Sequence, residues 1–417
     1  MLQSVNRMFG VLTPGLPPAL WLLQAGVLVN FFGNGLVAPF LVIYLHFGRG
    51  IPIALAGPAV ALGATVAVAS GLVAGAAADR IGPRNTLVAS MLCNAAAYFA
   101  YTQVTQPWEA FAVGLLVGVG TGSYGPSSQS LIASIVPAGM RQMAYAQNRV
   151  TSVVGLGLGA MLGGVIAARG LPGYLLLLKL DVITFVAFAA ASLLLPAGKV
   201  EARAAVQEGY RAVARDAAFM RLLATNIALV TFGIAPMLVL LPAYAKVQAG
   251  VGELDIGGIY AANTLTIVAL QLRLARMTRG HSRMRVLRLG ALIWVVSWLV
   301  SLAAGAWLSG TAAAFVLVAA AIAYGVGECL YSAIVLPTAA AMAPEHLRGR
   351  YLGGVGLAWQ TGFLLGPSLG AAMLSAFPLG LPIMCAAGCL LASAATSTVE
   401  RNLAPELRLI PHPAGAS

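Results

Sequence analysis

Charge is what this chain lacks most. Only 9% of its 417 residues are Asp, Glu, Lys or Arg, whereas a soluble domain carries about 25%. Hydrophobic residues make up 60%, a balance that excludes a soluble globule and implies a polytopic membrane protein. Cysteine is scarce: Cys93, Cys329, Cys385 and Cys389 all lie in apolar runs, and no CxxC occurs. They read as small packing residues. The four histidines lie at run ends or in connectors without metal-ligand spacing, so no metal site or other cofactor is expected. HExxH and GxxxxGK[ST] are absent. This argues against an intramembrane enzyme and against ATP as the energy source. The net charge of +12 would suggest nucleic acid in a soluble protein. Here the basic residues sit in short connectors with no interleaved aromatics, so nucleic-acid binding is set aside. No compact basic region with a cleavage site precedes the first apolar run, which is read as a retained span.

What the chain has is apolar runs of membrane-crossing length, about 20 residues each. Twelve are expected: 19–45, 52–77, 85–104, 109–136, 144–168, 174–196, 221–244, 256–275, 287–308, 312–338, 351–376 and 380–398. The longest connector, 197–220, is charged and falls mid-chain. It divides the expected all-α protein into a six-helix bundle over 1–196 and a second over 221–400, followed by a tail over 401–417. With twelve spans both termini share a side. Nineteen basic residues fall on that side and three on the other, with Arg149 and Lys179 inside spans. That bias places both termini in the cytoplasm. Arginines outnumber lysines 21 to 3 in a chain rich in Ala and Gly. This points to a GC-rich genome and a bacterial cytoplasmic membrane.

Sliding the chain against itself by 207 residues aligns Gly118-Val119-Gly120 with Gly325-Val326-Gly327, and Pro137 with Pro344. It also aligns Arg141 with Arg348, and Gly155, Gly159 and Gly163 with Gly362, Gly366 and Gly370. Two equivalent halves are a transporter plan with a substrate site near mid-depth.

The loop after span 2 reads GAAADRIGPRNTL. Gly75, Asp79, Arg80, Gly82 and Arg84 resemble the GxxxDRxGxR signature of the major facilitator superfamily. The resemblance covers almost the whole chain and implies the twelve-helix fold and a conformational latch at this loop. GLGLGAMLGG, with Gly155, Gly159 and Gly163, resembles the GxxxGPxxGG signature of that superfamily's drug–proton antiporters. Ala160 stands where the signature has Pro. The Pro occurs instead in span 11 as Pro367, among Gly362, Gly366 and Gly370. Small residues at this spacing also serve ordinary close helix packing. Those antiporters usually carry an arginine in span 4, and Gly114 occupies that position here. Coupling therefore runs through another group or is absent. NFFGNGLVAPFLVIYL, the Asn263 and Gln271 of span 8, and APEHLRGRY look like bacterial facilitators assigned to small-molecule efflux.

Within AYGVGECLYSA of span 10 stands Glu328, near mid-depth. Intramembrane carboxyls are expensive and usually face a cavity or a partner. Glu328 is the first candidate for the coupling proton or a cationic substrate; the alternative is a protonated carboxyl bonded across Gly325 or Gly327. Asp181 in span 6 is a second proton candidate or a structural partner. Arg149, near the inner end of span 5, either snorkels to the headgroups or faces a cavity. The remaining cavity candidates are Asn30, Asn34, Tyr124, Asn226, Asn263, Tyr331, Trp359 and Gln360. In the superfamily spans 1, 4, 7 and 10 line the cavity, which favours Asn30, Asn34, Tyr124, Asn226, Glu328 and Tyr331. So few polar groups fit a lipophilic or amphipathic compound better than a sugar or nucleotide. The expected partners are thus a small-molecule substrate, protons and the lipid bilayer, with the protein acting as a monomer. The expected function is proton-coupled export by alternating access; the alternative is uptake or facilitated diffusion of a metabolite.

Overall fold

Several helices start at a proline or a capping side chain. In the computed structural model, which describes residues 17–137, 140–197, 213–344 and 347–410, Pro18 opens α1 (Pro18–Val37) and Pro83 opens α3 (Pro83–Tyr101). Proline suits the first helical turn because its missing N–H would be unsatisfied there anyway. The intervening α2 (Ile53–Ile81) is separated from α3 by Gly82 alone, at φ 87°. Only glycine adopts that conformation without strain. A capping box opens α4 (Pro107–Ile135): Glu109 Oε2 accepts from the amides of Thr105 and Gln106 at 2.6 and 2.9 Å. α5 (Arg141–Ala167) and α6 (Leu171–Leu193) follow.

Asp216 caps α7 (Ala217–Leu229) by accepting from the amides of Ala218 and Phe219, both at 3.0 Å. Then come α8 (Glu253–Met277), α9 (Arg283–Trp307) capped by Ser282, α10 (Gly310–Met342), α11 (Arg348–Ala376) and α12 (Gly380–Asn402). Apart from α1 and α7, which stop short of the expected 19–45 and 221–244, these helices lie on the expected runs to within a few residues. Eight of them, α1, α2, α5, α6, α7, α9, α10 and α12, are long and apolar enough to cross a membrane by length and composition. α3, α4, α8 and α11 are not among them. Among the described residues there is no strand beyond one isolated bridge.

The chain divides into two compact units, residues 1–204 and 205–417. Residues 198–212, most of the expected linker, lie outside the described residues.

Two runs expected to be continuous are broken. α1 stops at a turn over 38–40, and the chain resumes as Leu41–Ile43 and a wide π turn, Tyr44–Gly48. α7 passes through a π turn, Val230–Ile234, into Ala235–Val239 and Leu241–Ala249. Pro39, Pro236 and Pro242 cannot donate to a preceding turn, and that ends each segment.

The repeat has a second register. At an offset of 200, Tyr44 Oη donates to the Tyr101 carbonyl (2.7 Å) and Tyr244 Oη to the Ser301 carbonyl (3.0 Å). Gly50 and Gly250, at φ 70° and 61°, turn the chain identically after these tyrosines. The offset of 207 applies from α4 and α10 onward. The added residues lengthen α9 to 25 residues against 19 in α3, and α10 to 33 against 29 in α4.

Both registers meet at the packing of α4 and α10. Gly118 leaves room for Gly63 and Val66 of α2, and Gly120 for Asn94 of α3. Gly325 leaves room for Asn263 and Thr266 of α8, and Gly327 for Trp294 of α9. The glycines of α5 and α11 make a similar seam. A Cβ on Gly155, Gly159 or Gly163 would strike backbone carbonyls of α1, and Gly362 and Gly366 pack against Val230 and Thr231 of the π turn after α7. Gly370 packs against Leu240, and Pro367 lies inside α11.

Candidate functional site

In the second unit, Asn226 of α7 is buried and accepts a hydrogen bond from Tyr331 Oη of α10 at 2.6 Å. That bond fixes the amide, and its Nδ2 is buried without a partner among the described residues. Around it runs a ladder of rings. Tyr324 stacks on Trp294 with centroids 5.3 Å apart. Trp294 meets Tyr331 at 5.6 Å, Tyr331 meets Trp359 at 6.4 Å, and Trp359 stacks on Phe363 at 5.4 Å. Three helices, α9, α10 and α11, supply it. Trp294, Tyr324 and Tyr331 are buried in the helix packing, and Trp359 and Phe363 are part-buried; the accessible end of the ladder therefore offers apolar ring faces near a single fixed amide, a combination suited to amphipathic molecules.

Glu328 stands on the ladder's own helix, four residues after Tyr324 and three before Tyr331, spacings that share one helix face. It is part-buried and acts electrostatically on Tyr324 and Cys329. Gln360 is part-buried beside Trp359 in sequence. Asn263 is buried with Oδ1 unpartnered among the described residues, against Gly325. Gln271 exchanges hydrogen bonds with Ser332 of α10 at 3.0 and 3.2 Å. Asn263 and Gln271, though on one helix, therefore serve different contacts.

In the first unit, Asp181 of α6 is fully buried. Its Oδ1 accepts from Thr184 Oγ1 at 2.9 Å, and its Oδ2 has no partner among the described residues. Gly33 of α1 makes the space: a Cβ there would overlap both Asp181 Oδ1 and Thr184 Oγ1. Tyr98 of α3 interacts with the same carboxyl electrostatically. Lys179 is exposed, on another face of α6 as its two-residue offset requires. Asn34 Nδ2 donates to the Asn30 carbonyl at 2.9 Å, and the buried Asn30 Oδ1 has no partner among the described residues. Tyr124 of α4 meets Phe31 and Phe188 edge-on at 5.9 and 6.5 Å. Arg149 is exposed on α5.

At the α2–α3 loop, Arg80 is exposed, while Arg84 donates to the Leu195 carbonyl at 3.1 Å, beyond the end of α6. The resemblance implied a latch for this loop; its Arg84 is tied inside its own unit. The side chains of Gly75 and Asp79 lie outside the described residues.

Sequence reasoning passed over Trp294, Tyr324 and Gln24. Gln24 is buried on α1 with both amide atoms unpartnered among the described residues. Its signal was available, as an amide inside an apolar run. Among the described residues no group of His, Cys, Asp and Glu could hold a metal ion.

Residues 24–312 match the sequence profile of the Major Facilitator Superfamily. The chain is 25% identical to the MFS-type transporter YhjO of Bacillus subtilis, itself uncharacterized, over 90% of this chain and 94% of that protein. It is 26% identical to the multidrug resistance protein MdtH of Escherichia coli over 78% of each chain. A POT family transporter crystallised with 5-aminolevulinic acid superposes with a TM-score of 0.76 at 13% identity, over 95% of this chain and 98% of that one. At that identity the likeness concerns the fold.

Proposed function

We propose, for a chain that belongs to the Major Facilitator Superfamily and is therefore a multi-pass membrane transporter, proton-coupled export of a small lipophilic or amphipathic compound by alternating access. The observation that carries the substrate class is the aromatic ladder around the Asn226–Tyr331 pair. The part-buried rings of Trp359 and Phe363 hold an apolar body, and the Asn226 Nδ2 supplies one donor that orients a polar group. The likeness to a multidrug resistance protein supports export. The basic residues, nineteen on one side and three on the other, support a bacterial cytoplasmic membrane with both termini inside. The transporter works as a monomer of two bundles, 1–196 and 221–400.

Glu328 is the coupling group. It shares a helix face with two rings of the ladder and is only part-buried, so it exchanges protons as the ladder fills and empties. Asp181 is the second proton site. A proton on Oδ2 neutralises a carboxylate that touches no cation among the described residues, and it leaves the Thr184 bond in place. Unpaired buried charge is costly, and this favours a group that carries its proton through the cycle. Asp79 and the arginines of its loop act as the latch.

The experiment uses proteoliposomes with an internal pH dye and a panel of lipophilic cations, neutral antibiotics and organic acids. Wild type moves protons against at least one lipophilic compound, and Glu328→Gln does not, although it still inserts. Substrate flux without a pH signal in either protein would remove coupling from the assignment. Substrate moving in the same direction as protons would make the protein an uptake symporter.

A further inference from the structure

Six arginines stand between residues 273 and 288 with no acidic residue among them. The structure separates their roles. Arg283 is buried and donates to the Leu409 carbonyl at 3.2 Å and to Thr338 Oγ1 at 3.4 Å. Arg288 donates to Thr396 and Ser397 of α12 at 3.2 and 2.5 Å. Both are internal staples. The guanidinium of Arg285 makes no hydrogen bond among the described residues.

Arg285 opens onto a groove of about 650 Å³. One wall is the start of α9. The other is the segment after α12, held by antiparallel backbone pairing: Gly280 N to Ile410 O at 2.9 Å, Ile410 N to His281 O at 3.0 Å, and Arg283 N to Arg408 O at 2.8 Å. The rim carries Arg285, Arg408 and His281, with Leu409 paired beside Ser282, and the lower part carries Leu289; Leu289 and Leu409 are 53% and 56% exposed. The carboxylate in the groove, Glu400, is already engaged, accepting from Ser282 Oγ at 2.7 Å. Leu289 lies one helical turn beyond Arg285 on the same face, about 6 Å deeper along α9. Cationic groups at the mouth of a transmembrane helix and an exposed leucine one turn further in reproduce the order of phosphate and acyl chain in a lipid leaflet.

We propose that this groove binds an anionic phospholipid of the leaflet on the terminal side. The headgroup phosphate sits between Arg285 and Arg408, and one acyl chain lies along Leu289. A free soluble anion would use the arginines and leave Leu289 idle. A zwitterionic lipid would fill the apolar part and bring no net charge to the rim.

The test places the full-length protein in phosphatidylcholine liposomes. Each carries a trace of photoactivatable phosphatidylglycerol or of phosphatidylcholine with the same reactive acyl chain, and cross-links are mapped by peptide mass spectrometry. The phosphatidylglycerol probe labels segments 279–289 and 403–410, and the phosphatidylcholine probe labels them far less. Arg285→Gln, which breaks no hydrogen bond, keeps the melting temperature and lowers labelling about fivefold, the worth of one basic residue at an anionic surface. Excess glycerol 3-phosphate leaves labelling unchanged. Equal labelling by both probes, unchanged labelling of Arg285→Gln, or labelling absent from both segments overturns the proposal. Competition by glycerol 3-phosphate replaces it with a soluble-anion site.

Discussion

Replacing both Asn226 and Tyr331 with apolar residues separates a substrate contact from a core contact. Tyr331→Phe alone leaves Asn226 Oδ1 buried without its donor, beside an Nδ2 that already has none. An orphaned buried acceptor costs about 1–3 kcal/mol, so this variant melts earlier. Asn226→Leu alone removes the unpartnered Nδ2 and also the acceptor of the 2.6 Å bond from Tyr331 Oη, and the two effects largely offset each other. The double variant Asn226→Leu/Tyr331→Phe removes donor and acceptor together, which is close to neutral for stability. A structural pair would then leave transport unchanged as well. If Nδ2 orients the substrate, the double variant folds normally but loses one hydrogen bond to it. That bond is worth about 0.5–1.5 kcal/mol, or about 2- to 12-fold in KM. The assay is initial transport rate against substrate concentration in proteoliposomes, with melting temperatures of all four proteins. A stable double variant with the wild-type KM would refute the substrate role of the amide.

Gly118→Ala brings a methyl group onto the Gly63 carbonyl and Val66; it lowers stability by about 1–3 kcal/mol. Gly125→Ala, where nothing lies within 4 Å, is neutral or slightly stabilising, as thermal unfolding of the pair in detergent will show. Gly82→Ala forces a side chain into a positive-φ turn and costs about 1–3 kcal/mol, read in the same assay. Tyr244→Phe removes one bond, to the Ser301 carbonyl, and loses about 0.5–1.5 kcal/mol. Tyr44→Phe removes the equivalent bond to the Tyr101 carbonyl and also the one accepted from Arg49 Nε at 2.7 Å, so it loses more; a smaller loss than for Tyr244→Phe would break the equivalence. Asp181→Asn keeps the acceptor for Thr184 and removes the titration, so proton uptake per substrate falls while insertion is unchanged; full stoichiometry would exclude Asp181 from coupling.

The helices were legible because a membrane span is coded by length and apolarity, and both survive in the plain sequence. The repeat was half legible. Gly118 and Gly325 announce themselves in adjacent clusters, whereas Tyr44 and Tyr244 are single matches at a different offset. The breaks in α1 and α7 were signalled by Pro39, Pro236 and Pro242, but in a hydrophobic run their effect is masked by continuity of composition. At the site, polar residues in apolar runs picked out Asn226, Tyr331, Asn263 and Asp181. Trp294 and Tyr324 escaped because an aromatic in a membrane helix looks like core until a ring on another helix is placed beside it. No local pattern could reveal the pairing of 280–283 with 408–410, because its partners are far apart in the chain.

That pairing has a consequence for biosynthesis. Arg283 and Leu409 are 126 residues apart, so the turn before α9 leaves the ribosome long before the segment that completes it. Until residues 408–410 emerge, the amides of Gly280 and Arg283 and the Arg283 guanidinium wait at the membrane surface without the carbonyls they later bond. Completion of the second unit is therefore timed by translation of α10, α11 and α12. A peptide fused or cut close to residue 410 acts on the chain at that last step, by delaying assembly of a bundle whose helices are already inserted.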